Sequence, residues 1–116
     1  MDILPYVSGH REQIKSEDIK RARFYNEAMD KARRIAQELM RTYPGVKIWL
    51  FGSLTSDFYE LNSDIDLAIK GLREEEYYKA LKIAEDIAET ISVDLVQVEF
   101  ASDTLVKRIE QEGVIL

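Results

Sequence analysis

Two aspartates, Asp64 and Asp66, stand one residue apart in the otherwise apolar run "DIDLAI", and a third, Asp94, interrupts a second such run, "VDLVQVEF". A carboxylate among Ile65, Leu67, Ala68 and Ile69 carries a heavy desolvation cost unless a cation or hydrogen-bond donors offset it. Alternate residues of a strand share a face about 6.5 Å apart, so Asp64 and Asp66 are expected to project together while Ile65, Leu67 and Ile69 point the other way. If the two runs are neighbouring strands, directly opposed residues have Cβ atoms roughly 5 Å apart and three carboxylates share one small volume. Such a group repels itself without a counter-ion. It makes sense as a ligand set for Mg²⁺, which takes a few carboxylates plus water and phosphate oxygens, and two such ions about 3.5 to 4 Å apart can clamp an in-line displacement.

Gly52-Ser53, separated from Asp64 by ten intervening residues, supplies the complementary half. A glycine turn that opens a helix exposes backbone N–H groups to an anion, and the Ser53 hydroxyl adds a donor. Phosphates held there would lie beside metals held at Asp64 and Asp66, which describes nucleoside-triphosphate chemistry. Ser63, at the end of the intervening loop around Asn62, is a further candidate for contact with the nucleotide.

The elements that must position these residues follow from periodicity. Residues 1–15, with Pro5 and Gly9, read as an irregular lead-in. Ser16, Glu17 and Asp18 suit a helix start, and Ala28, Ala32, Ile35, Ala36 and Leu39 mark one buried stripe of a helix running to about Arg41. Tyr43-Pro44-Gly45 ends it. Val46 to Phe51 reads as a first strand, Leu54 to Tyr59 as one or two helical turns, and Asp64 to Ile69 as a second strand closed by Gly71. Tyr77, Leu81, Ala84, Ala88 and Ile91 define a helix between Arg73 and Ile91, fronted by Glu74, Glu75 and Glu76. Val93 to Phe100 is a third strand, and Ser102-Asp103 caps a last helix with Leu105 and Ile109 inward and Gly113 just past its end. The expected fold is α/β (α+β): a small mixed three-stranded sheet with flanking helices, in the order α-β-α-β-α-β-α, within a single domain over 1–116.

"GS" at 52 and 53, ten intervening residues and "DID" at 64 to 66 resemble the signature of the DNA polymerase beta-like nucleotidyltransferase superfamily. With the later "VDLV" and the tail "RIEQEGVIL", the chain from Ala28 to Leu116 is similar to the minimal nucleotidyltransferase (MNT) branch. The resemblance implies that Asp64 and Asp66 hold Mg²⁺, that Gly52 and Ser53 hold the β and γ phosphates of ATP, and that Asp94 assists the metal and serves as general base. It further implies transfer of a nucleoside monophosphate to a hydroxyl with release of pyrophosphate. In the minimal branch it implies an antitoxin that silences a HEPN-domain ribonuclease toxin by adding AMP to a tyrosine. A small-molecule acceptor, as in aminoglycoside-modifying relatives, and an antitoxin acting by binding alone are the alternatives. The larger members' second, helical domain has no counterpart here, so a partner subunit or a second copy is expected to complete the substrate pocket.

Composition excludes competing chemistry. The chain has no cysteine, which removes disulfides and thiolate metal sites, and His10, its sole histidine, stands near the start as a solvated residue, which removes most zinc sites and any Ser-His pair in the core. A net charge of −6 gives no long-range attraction to nucleic acid. No apolar run approaches a membrane span and the first ten residues lack a secretory pattern, so a cytoplasmic location is expected. Lys70 and Arg73 are read as solvated surface residues, and Trp49, Tyr77, Tyr78 and Phe100 as packing the core or a partner.

Overall fold

In a computed structural model, the structure describes residues 5–56, 59–61 and 63–116, with side chains described from Ser16 onward. Helix α1 spans Pro5–Thr42, strand β1 Lys47–Phe51, β2 Ile65–Lys70, helix α2 Tyr77–Ala88, β3 Val93–Gln97, α3 Asp103–Glu112 and β4 Val114–Ile115. Single 3₁₀ turns occupy Gly52–Thr55, Glu74–Glu76 and Val98–Phe100. The sheet is mixed, in the order β3-β2-β1-β4, with β2 parallel to β3 and both β2 and β4 antiparallel to β1.

Alternation along the strands builds the main core. Ile48, Leu50, Ile65, Leu67, Ile69 and Leu95 are buried on one face of the sheet and join Ala28, Ala32, Ile35, Ala36 and Leu39 of α1 and Ala80, Ala84 and Ala88 of α2. The small alanines let the two helices approach closely. Lys31 of α1 donates to the Ala88 carbonyl at 2.9 Å and lies 3.2 Å from Glu89, so a cation sits on the negative end of the α2 dipole. Its buried stem and paired head satisfy the rule that interior charges be compensated. On the other face, Ala68 and the α3 residue Ile109 are buried outside that cluster, and α3 lies against β1.

Four expectations change, one of them the third strand, expected over Val93 to Phe100, which ends at Gln97 because the chain turns into a 3₁₀ helix over Val98–Phe100. Helix α1 runs through Gly9 and His10 from Pro5, so 5–15 is helical where an irregular lead-in was expected; proline fits the first turn of a helix, where its missing N–H has no intrahelical partner anyway. Residues 1–4, the side chain of His10 and Asn62 lie outside the described residues. The sheet has four strands, because Val114-Ile115 pairs with Leu50 and Trp49 where only a tail was expected. The helical turn after β1 covers Gly52–Thr55, earlier and shorter than Leu54 to Tyr59. At 38 residues, α1 is about 57 Å long and accounts for the longest dimension of the molecule, 61 Å.

Candidate active site

The two aspartate-bearing runs are parallel neighbours, and the register places Asp66 directly opposite Asp94, with Phe51 of β1 on Asp66's other side. Paired residues point to the same face, so both carboxylates leave the core face and stand on the opposite one. Asp64 lies just before β2 and is exposed, as is Asp94, while Asp66, between strands, is half-buried. Burial, followed by the negative charges of Asp94 and Asp64, pushes the Asp66 carboxyl up to about 6. Among the described residues none of the three makes a hydrogen bond or an ion pair.

The turn after β1 presses on this group. Gly52 has φ +81°, and a Cβ built there would lie 2.2 Å from Oδ2 of Asp66. Only glycine meets both conditions. The turn is tied by the Thr55 hydroxyl donating to the Gly52 carbonyl at 2.7 Å and by buried Leu54. The Ser53 hydroxyl makes no bond among the described residues. A lone 3₁₀ turn has little macrodipole, so an anion here would be held by local N–H groups and this hydroxyl.

Ser63 is differently employed. Its Oγ accepts from the Glu60 N–H at 2.7 Å, and its own N–H donates to the Glu60 carbonyl at 3.0 Å, which closes the turn that delivers the chain to Asp64. Lys70 is exposed opposite Lys47, and Arg73 pairs with Glu75, both remote from the acid row along β2. Tyr77 donates to the Leu95 carbonyl at 2.7 Å, and its phenol is pushed up by burial and then by Asp94. Tyr78 and Phe100 are exposed.

Hard carboxylate oxygens without a protein cation suit a hard metal such as Mg²⁺. Among the described residues no three acidic, histidine or cysteine side chains are gathered so that they could hold a metal ion, so the three aspartates do not share one small volume as expected, and an ion held by fewer of them would complete its shell with water and substrate oxygens, as Mg²⁺ does.

The family model for polymerase beta nucleotidyltransferases matches residues 33–116, which hold the Gly52 turn and all three aspartates. The chain belongs to this family. Among solved structures, a chain of a toxin–antitoxin with AMP-PNP is 28% identical, with a TM-score of 0.59 over 71% of this chain and 69% of that one. The toxin–antitoxin MntA-HepT gives 25% identity and a TM-score of 0.57 over 75% and 69%. The complex of a tri-AMPylated Shewanella oneidensis HEPN toxin with its MNT antitoxin gives 24% and 0.57 over 76% and 70%, a likeness of fold. The member described here is thus an MNT-type nucleotidyltransferase. No curated protein sequence matches it, and no described helix is long and apolar enough to cross a membrane.

Periodicity missed two anchors. Arg21 and Tyr25 of α1 hold Tyr59 in the loop before Asp64, and Lys31 caps α2 from α1. Both link residues far apart in sequence, and nothing in their local spacing marks them.

Proposed function

We propose that this chain uses Mg²⁺ to transfer AMP from ATP to a hydroxyl of a protein partner, a HEPN-domain toxin that it neutralises as a cytoplasmic antitoxin. The observation that carries the reading is the row Asp64, Asp66 and Asp94, without a protein cation, set against the Gly52 turn in a nucleotidyltransferase. The likeness to a toxin–antitoxin with AMP-PNP and to MntA-HepT supports the choice of nucleotide and partner.

In this reading Asp64 and Asp66 hold the metal, which when bound neutralises charge on the triphosphate and on the departing pyrophosphate. The absent Cβ of Gly52 brings backbone within reach of the phosphates, and the Ser53 hydroxyl donates to them. Asp94, exposed beside Asp66, accepts the proton of the incoming hydroxyl. Catalysis rests on orientation and on charge placed before the reaction begins. The acid row lies at an open end of the sheet, so the partner itself walls the site.

The test is transfer of label from ATP labelled at the α-phosphate, with Mg²⁺ and the co-expressed partner, beside the Asp64→Ala, Asp66→Ala double variant. Label on the partner polypeptide with the natural chain alone is the expected result. Label on a small molecule would move the acceptor to that class. Neutralisation without any label, preserved in the double variant, would make the chain a contact antitoxin and overturn the reading.

A further inference from the structure

The loop that joins the Gly52 turn to Asp64 is fastened at two points. Leu54 anchors its start in the core, and the mutual bonds of Glu60 and Ser63 close its end. Between them Tyr59 is held by α1 through both its backbone and its ring. Arg21 Nη2 donates to the Tyr59 carbonyl at 3.2 Å, the guanidinium lies 4.8 Å from the ring centroid, and the Tyr25 ring packs against the same ring at 5.0 Å. Arg21 lies where α1 leaves the body of the protein: Ser16 to Lys20 are exposed, whereas Phe24 and Tyr25 already pack on the core. Among the described side chains of α1, Arg21 is the first that is partly buried, and it is used on one loop residue.

We propose that Arg21 is a positioning residue for Asp64, fixing through Tyr59 the turn Glu60–Ser63 from which Asp64 enters the acid row. A planar guanidinium serves because it stacks on the ring and donates to the carbonyl of the same residue. This rests on the reading of Asp64 as a metal ligand, and its test separates the two.

The loop is measured first, without metal, by amide hydrogen exchange in wild type, Arg21→Met and Arg21→Lys. Arg21→Met is expected to speed exchange at the Glu60 and Ser63 amides about ten-fold, the factor that loss of one exposed cation–π contact and one hydrogen bond produces. The Leu67 amide in β2 stays unchanged, and Arg21→Lys, which keeps a cation over the ring, falls between. Unchanged exchange at Glu60 and Ser63 overturns the proposal. Mn²⁺ affinity, read from the free-ion spin signal, is measured next in a cycle with Asp64→Asn. Arg21→Met alone is expected to weaken Mn²⁺ about ten-fold, the lower end for residues that orient a metal ligand, and to add no loss in the Asp64→Asn background. Equal losses in both backgrounds would make Arg21 merely structural and overturn it. Wild type binding Mn²⁺ no better than Asp64→Asn would overturn the metal reading alone and leave the exchange result to decide the loop. Should Arg21→Met fail to fold, Tyr59→Leu removes the ring and carries the same expectations.

Discussion

The two faces of one sheet obey opposite rules. On the helix side Ile48, Leu50, Ile65, Leu67, Ile69 and Leu95 are buried against α1 and α2. On the other, at the end nearest the Gly52 turn, Asp66 and Asp94 face each other across parallel strands with no partner among the described residues. The first face gains from burial in proportion to apolar area. The second costs stability, since ionised carboxylates are crowded where one is half out of water. Arrangements that oppose stability persist where function needs them, so the contrast itself marks the site.

The largest effect is expected from the stable face. Leu67→Ala empties a fully buried position and should cost about 3 to 4 kcal/mol in urea unfolding; less than about 1 kcal/mol would mean the core lies elsewhere. Next, Lys31→Met removes one of two donors on the Ala88 carbonyl, which keeps the Ile91 N–H at 3.1 Å, and should cost about 2 kcal/mol in the same measurement, the worth of a hydrogen bond made by a charged group.

Asp66→Asn should act in the other direction. Its carboxyl rises from 3.8 to about 6 in the folded chain, equivalent to about 3 kcal/mol before screening and about 1 to 2 kcal/mol for a half-exposed group. Because the folded value lies above the unfolded one, folding disfavours the ionised form. The penalty is complete above about pH 6, shrinks between about 6 and 3.8, and is absent below. In chelator, Asp66→Asn should therefore be more stable than wild type at pH 7 and equal to it near pH 3.5, whereas in Mg²⁺ it should lose transfer. A loss of stability at pH 7 would erase the contrast between the faces. The smallest effect belongs to neither face: Ser102 accepts from the Leu105 N–H at 3.2 Å, and Ser102→Ala should cost about 1 kcal/mol by thermal denaturation, as lost helix caps do.

Much of this was legible in the sequence because it is local. The i, i+2 spacing of Asp64 and Asp66, the glycine turn after an apolar strand, the stripe of α2 and the cap at Ser102 are short-range signals, and each lies where its pattern indicates. The rest depends on distant partners. Val114-Ile115 is too short to read as a strand and is one only because Trp49 and Leu50 lie beside it. Pro5 and Gly9 suggested an irregular start, though a proline is at home in a first helical turn. Arg21 and Tyr59 meet across 38 positions. The reason for glycine at 52 is likewise tertiary, since its missing Cβ makes room for Asp66.

The most direct test of a face kept unstable for a ligand is a thermal melt at pH 7 with Mg²⁺ and AMP-PNP, comparing wild type with Asp64→Ala, Asp66→Ala. The account predicts that wild type melts several degrees higher with Mg²⁺ and AMP-PNP together than with either alone, whereas the double variant gains nothing. An equal gain in both chains would contradict it, because the nucleotide would then be bound somewhere other than the acid row.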